Sequence, residues 1–279
     1  MVLAKKRNPF IAGFLTLFFG GTGFLYLGKL RWAIGYSILP LLVYMLVAWS
    51  RLFFSSVGIY AYLLFLFLAS LFVLSAIIVA VSIAHRQQPQ PLHKFQRWYY
   101  YILYAILTGF ISNTVVEHRE KLLGFATFNT PSLAMDKTLV LGDYFISDTW
   151  KYKNHLPKRG EVFVFKYPLK PEINYIKRLI GLPNDRIRIE NNKVYVNGTL
   201  LNESYLNPEN NLGRGLPDAT YVVPENQLFV LGDNRDNSAD SRDWGYVPKG
   251  SIVGSAEYIW FSYSSIDGLK TDRIGQMIK

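Results

Sequence analysis

Cysteine is absent from the 279-residue chain, which excludes disulfides, thiolate nucleophiles and cysteine-based zinc sites. Histidine is scarce: His85, His93, His118 and His155 have no metal-ligand spacing, and no metal or cofactor is expected. Charge is also sparse, at 18% of residues against about 25% in an ordinary soluble domain. The deficit is unevenly placed. Residues 10–116 are mostly long apolar stretches, whereas the sequence after Glu117 reads like a folded soluble domain. That distribution excludes both a wholly soluble enzyme and a pure membrane channel. The remaining charge is unbalanced, with 30 Lys and Arg against 20 Asp and Glu, a net +10. Such an excess suits nucleic acid or an anionic membrane surface; the apolar half favours membrane lipid, and no nucleic-acid partner is expected.

The apolar segments run over 10–28, 32–49, 57–83 and 98–116. Each of the last three is long enough to cross a ~30 Å hydrocarbon core. The first is interrupted by Gly20-Gly21-Thr22-Gly23 and reads either as a crossing or as a re-entrant turn. No small-residue cleavage site is followed by polar sequence, which argues against a removed leader. The connector at 85–97 contains Arg86, Lys94 and Arg97 and no acid, so it belongs in the cytoplasm. The 98–116 segment then carries everything after it outside. Three crossings put Lys5, Lys6, Arg7, Lys29 and Arg31 inside as well; four would put three basic residues outside against the charge rule. The charge rule favours three. The expected organisation is an anchor over 1–116 and an extracytoplasmic domain over 117–279.

After Glu117 the signals are short β-rich runs at 162–167, 175–180, 186–189, 193–196, 227–231 and 255–263. Asn191-Asn192 and Asn197-Gly198 have the composition of tight hairpin turns. No helical period of 10 or more residues is present. The fold class expected is an α-helical transmembrane region followed by an all-β domain of antiparallel sheets. Two matches to the glycosylation sequon, at Asn197 and Asn202, carry no weight.

Three segments bear on chemistry: Thr130-Pro131-Ser132-Leu133-Ala134-Met135-Asp136-Lys137-Thr138-Leu139 with Gly142-Asp143; Tyr175-Ile176-Lys177-Arg178-Leu179-Ile180-Gly181; and Gly232-Asp233-Asn234-Arg235-Asp236-Asn237-Ser238-Ala239-Asp240-Ser241-Arg242-Asp243. In a strand, Lys177 shares a face with Tyr175 and Leu179. A lysine held on an apolar face loses solvation of its ammonium, its pKa falls, and it becomes able to accept a proton. From that segment alone, a lysine at a sheet edge with its head in water is the favoured reading. The third segment lacks the oxygen-ligand pattern of a calcium loop and alone reads as a hydrogen-bonded surface turn.

Taken together and in order, the three segments, with Gly160-Glu161-Val162-Phe163-Val164-Phe165 between the first and second, resemble type I signal peptidases over most of residues 122–263. These are membrane-anchored serine endopeptidases with a Ser/Lys dyad. The resemblance implies a mostly β catalytic domain outside the cytoplasmic (inner) membrane and the signal peptides of exported precursors as partners. Residue by residue, it makes Lys177 the general base, Ser132 an oxyanion-hole donor and Ser238 the residue that hydrogen-bonds and orients the lysine. Asp240 and Arg242 match a supporting polar pair. Phe128, Met135, Leu139, Tyr175 and Ile176 match positions lining small pockets for the −1 and −3 residues of a signal peptide. Shallow apolar pockets admit alanine-sized side chains and exclude larger ones by overlap.

One position departs from the pattern. The family motif Ser-x-Ser-Met has its nucleophile at the second serine, and Ser132-Leu133-Ala134-Met135 has alanine there. A methyl group cannot attack a carbonyl, so covalent catalysis is lost while fold and pockets persist. Two explanations stand: a nucleophile knock-out, or a natural non-catalytic relative that binds signal peptides or precursors at the membrane. Retention of Lys177, Ser238, Asp240 and Arg242 favours the first, and an untagged start at Met1 the second. A self-cleaving repressor with related Ser/Lys chemistry is a third reading, opposed by the membrane segments. The extra N-terminal part, Asn8-Pro9 and the glycine-rich 19–28 stretch, faintly resembles a small two-helix membrane domain; its glycines alternatively serve close helix packing.

Overall fold

Asn8 begins the first helix, accepting hydrogen bonds from the backbone N–H of Phe10 and Ile11 at 2.8 and 3.4 Å, with Pro9 at the first helical position. The helix, α1 (Pro9–Phe19), ends where Gly20 takes a φ of +55°, and a short α2 (Thr22–Tyr26) follows. At 1.5 Å per residue α1 is roughly 16 Å long, about half a hydrocarbon core, so the 10–28 segment is a broken pair of helices. Gly21 lies against α3 (Leu30–Trp49): a Cβ on it would stand 2.2 Å from the Ala33 carbonyl oxygen. Then come α4 (Gly58–Arg86), α5 (Trp98–Glu117) and the single turn α6 (Arg119–Leu122). Among the described residues three helices, α3, α4 and α5, are long and apolar enough to cross a membrane.

This computed structural model describes residues 6–54, 57–213 and 218–279. Met1 and Lys5, which entered the sequence reading, lie outside them. The chain divides into two compact units, Met1–Leu123 and Gly124–Lys279.

The second unit is built from antiparallel strands. In order they are β1 (Phe125–Asn129), β2 (Asp143–Asp148), β3 (Val162–Tyr167), β4 (Lys170–Gly181), β5 (Arg186–Glu190), β6 (Lys193–Val196), β7 (Thr199–Leu200), β8 (Ala219–Val222), β9 (Gln227–Leu231), β10 (Val247–Pro248), β11 (Ile252–Ser264) and β12 (Gly268–Leu269). A one-turn helix, α7 (Ser241–Trp244), lies between β9 and β10. The larger sheet has the order β1-β2-β11-β3-β4-β9-β10, with β12 on β11; the smaller has the order β7-β6-β5-β8. The hairpins at Asn191-Asn192 and Asn197-Gly198 have positive φ at both turn residues, the conformation for which Asn and Gly are suited. One core cluster, with Phe163, Phe165, Leu179 and Val230, packs beside β3, β4 and β9; another gathers Met135, Leu139, Phe145 and Val164 beneath the loop joining β1 to β2.

Candidate active site

Lys177 stands near the end of β4, paired across the ladder with Phe163 of β3. It is 4% exposed, and its Nζ lies 5.8 Å from the centroid of the Tyr175 ring, on the shared face that strand alternation requires. Burial pushes its amine down from 10.5 to about 8, because the ammonium loses water that the apolar surroundings do not replace; the carboxylates of Asp240 and Asp233 offset part of that fall. A group poised near 8 is divided between ammonium and free amine at mildly alkaline pH, as proton abstraction demands.

The β1–β2 loop faces it across a cleft of about 610 Å³. Two buried apolar side chains, Met135 and Leu139, hold the loop to the core. Its backbone is fixed to the segment after β9: Asn234 N–H donates to the Ala134 carbonyl at 3.1 Å, and Asn234 Nδ2 to the Leu133 carbonyl at 3.1 Å. The Thr138 hydroxyl donates to Asp233 at 2.5 Å. None of these contacts uses the side chain of residue 134, so the loop holds its course with a methyl group there.

The cleft is lined by Phe128, Ser132, Ala134, Met135, Tyr175, Ile176 and Lys177, among others. Ser132 is exposed at its edge. Leu139 departs from its expected place: it is fully buried and packs with Met135 and Phe145, supporting the cleft from below without lining it. Leu139 follows Met135 by one loop turn, its N–H donating to the Met135 carbonyl at 2.8 Å, which puts its side chain in the core.

Ser238 also differs from expectation. Its Oγ is buried and forms no hydrogen bond, so the contact expected to orient Lys177 is not made. The hydroxyl is packed over Gly232, where a Cβ would come within 2.1 Å of Ser238 Oγ and 2.5 Å of the Ala134 carbonyl oxygen, and no acceptor meets it there. Gly232 thus lies against both Ser238 and the Ala134 carbonyl, and the charges that act on Lys177 are those of Asp240, Asp233, Arg242 and Asp243. Asp240, fully buried, accepts from Gly232 N–H at 3.0 Å and holds Arg242 by two bonds of 2.7 Å. It also caps α7, accepting from Arg242 N–H at 3.3 Å, while Arg242 donates to the Ser238 carbonyl at 3.3 Å. The expected polar pair is therefore a backbone brace.

Sequence reasoning passed over a second ion pair, Arg178 with Asp233. Arg178, next to Lys177 but on the opposite strand face, donates to both Asp233 oxygens at 2.8 and 2.6 Å, with both residues buried. It also donates to the Thr138 hydroxyl at 3.2 Å. Together these bonds tie β4, the 130–140 loop and the 232–240 segment into one frame. Its signal was a charged residue beside the lysine and an acid after a glycine at the end of β9. The aromatic pair Trp260 and Phe261 is half-buried and clusters with Tyr144 at ring separations of 6.1 and 5.7 Å.

The family described as "Signal peptidase, peptidase S26" matches residues 96–261. Signal peptidase I of Pseudomonas fluorescens is 35% identical over 183 residues, covering 49% of this chain and 64% of that one. A probable signal peptidase I-2 of Synechocystis sp. is 39% identical over 150 residues, covering 51% and 65%, and signal peptidase I of Buchnera aphidicola subsp. Schizaphis graminum is 30% identical over 234 residues, covering 55% and 75%. The chain thus spans a little under two thirds of the Pseudomonas and Synechocystis proteins. A crystal structure of a signal peptidase I from Enterococcus faecalis V583 is 33% identical, covering 36% of this chain and 96% of its own, at a TM-score of 0.32. With the family match extending over more than half of its length, the chain belongs to the signal peptidase (peptidase S26) family.

Proposed function

We propose that this protein receives the signal peptides of exported precursors at the cytoplasmic membrane, in a site built for Ser/Lys cleavage after small-x-small sequences, and that Ala134 leaves that site without a nucleophile. The observation that carries the reading is Lys177: a lysine 4% exposed, its amine lowered to about 8, in the cleft shared with residue 134. A serine hydroxyl at 134 would give its proton to Lys177 Nζ as its oxygen attacks the scissile carbonyl, and Ser132 at the cleft edge would donate to the resulting oxyanion. Phe128, Met135, Tyr175 and Ile176 are the apolar walls against which the −1 and −3 side chains would rest. Residues 1–116 serve as a multi-pass anchor and 117–279 as the extracytoplasmic catalytic domain, with the basic 85–97 connector in the cytoplasm.

Ala134→Ser should cleave a membrane-anchored precursor after a small-x-small sequence, whereas the chain as written should stay at background. Loss of one member of a catalytic unit typically removes nearly all of the covalent rate, on the order of a million-fold in a serine protease. Equal turnover by the two forms, followed by gel mobility of the precursor, would assign the attack to another residue and overturn the reading.

A further inference from the structure

Residues 1–116 contain nine Lys and Arg and neither Asp nor Glu, so nearly all of the chain's net charge of +10 resides there. Most of these cations gather at one end of the long helices. Lys29 and Arg31 begin α3, Arg86 ends α4, and Lys94 and Arg97 precede α5. The first carboxylate, Glu117, is at the other end of α5, ~30 Å away along the helix. The basic end is a built structure: Gln87 Nε2 donates to the Leu27 carbonyl at 3.2 Å and Gln96 Nε2 to the Tyr26 carbonyl at 2.9 Å, fixing the loop after α2 to the connector after α4.

Between the start of α3 and the end of α4 this arrangement leaves a cleft of about 650 Å³. Its rim holds Lys29, Arg86 and Gln87; its floor holds Trp32, Ile78 and Ile83. Lys29 occupies the N-cap of α3, and its ammonium has no acceptor to take up the first-turn N–H groups, so the helix adds uncapped N–H groups to two cations. A cationic rim over an apolar floor, at the basic end of helices long enough to span a membrane and with no acid up to residue 116, calls for an amphiphilic anion.

We propose that this cleft binds an anionic phospholipid, its phosphate between Lys29 and Arg86 and one acyl chain along Trp32, Ile78 and Ile83. Zwitterionic lipids fit worse, because a headgroup amine adds a third cation beside two. The apolar floor distinguishes a lipid from free phosphate, which would use the rim alone. The inference rests on the membrane reading of the anchor and is independent of the catalytic one.

The test uses the full chain, delipidated in detergent and titrated with dioleoylphosphatidylglycerol, dioleoylphosphatidylcholine or glycerol phosphate, with bound species counted by native mass spectrometry. Phosphatidylglycerol should bind more tightly than phosphatidylcholine by on the order of tenfold or more. Lys29→Gln with Arg86→Gln should abolish that preference, and the charge-conserving Lys29→Arg with Arg86→Lys should keep it. Lys94→Gln with Arg97→Gln removes the same charge from the same end outside the cleft and should leave the preference intact. Equal losses in the two glutamine pairs would reduce the effect to diffuse surface charge and overturn the site. Glycerol phosphate binding as tightly as the lipid would likewise overturn it. Cleavage by the Ala134→Ser form, assayed in the same preparations, should be unchanged by the Lys29 and Arg86 pair in detergent, so failure here and failure of the catalytic reading are separable.

Discussion

In the helices α1, α3 and α4 of the 1–123 unit the buried positions are small, although the short α2 buries Phe24 and Leu25. Ala12, Ala33, Ala80 and Ala84 have no exposed area, while Leu64, Phe67 and Ile78 are more than half exposed. In the 124–279 unit the order is reversed, with Phe145, Phe163, Phe165 and Phe229 at 1% or less. Charge follows the same division: the anchor has no acid before Glu117, whereas the β unit buries Arg178 with Asp233, Arg235 with Glu203 and Arg273 with Asp143. The difference teaches what solvent each unit is shaped for. Against lipid, a large apolar side chain gains nothing by turning inward, and small residues let helix backbones approach. Against water, burying large apolar groups is the main favourable term, and an ion removed from solvent must bring its partner.

The largest expected effect concerns the polar machinery of the β unit. In the Ala134→Ser background, Lys177→Arg should remove cleavage, since a guanidinium keeps its proton at every workable pH. With lysine present, the pH–rate profile should rise through about 8, because activity needs the free amine and is lost as pH falls through that value. An active arginine variant, or a flat profile, would take Lys177 out of that role. Next comes an all-or-none comparison of the two ends of the chain. The cysteine-free background allows Asn192→Cys and Gln88→Cys to be labelled singly on intact cells with an impermeant thiol reagent. Label should reach position 192 only; the reverse pattern would place the cleft in the cytoplasm and end the assignment.

A smaller effect separates the two packing regimes directly. Phe163→Ala should destabilise the β unit by about 3–5 kcal/mol, and Leu64→Ala in α4 should change stability by no more than about 0.5 kcal/mol. Denaturant unfolding of the full chain in a single detergent measures both, and similar losses would deny that the two units face different solvents. The smallest effect is a stability gain. The native lysine titrates at about 8 and its unfolded counterpart at 10.5, so the unfolded chain binds more protons between these values. Lys177→Met should therefore stabilise the fold by roughly 3 kcal/mol below pH 8, a gain that closes as pH rises to about 10.5. A gain independent of pH would come from packing alone.

Where the apolar residues are contiguous, the sequence was easily read: the short β-rich runs became β3, β6 and β9, which begin and end at the residues expected, and the long apolar runs became α3, α4 and α5. β2 was passed over because its inward residues include Asp143, Ser147 and Asp148, so its alternation is not one of hydrophobicity. Asp143 is acceptable inside only because Arg273 and the Ser262 hydroxyl reach it from the end of the chain, bonds no local pattern announces. β8 was hidden for the opposite reason, since Val222 faces out at 59% exposure. At the candidate site, Lys177 and the Ser132–Met135 stretch were legible because each motif is contiguous. The Arg178–Asp233–Thr138 frame was not, because its members are 55 and 95 residues apart and only pairing of β4 with β9 brings them together.

Gly232 gives the fold a genetic signature. Its Cα is wedged between the Ala134 carbonyl, which is backbone, and Cβ of Ser238, with a hypothetical methyl 2.5 Å from each. Every other amino acid has a Cβ, so every missense change at this codon pushes the 134 loop off the segment that carries Ser238. Residue 134 itself, whose side chain supports none of the loop contacts described above, accepts small replacements without loss of shape. In a saturation-mutagenesis library scored for folded protein, codon 232 should be among the most depleted in the β unit and codon 134 among the most permissive to small residues. Scored for cleavage in the Ala134→Ser background, the two should be equally intolerant.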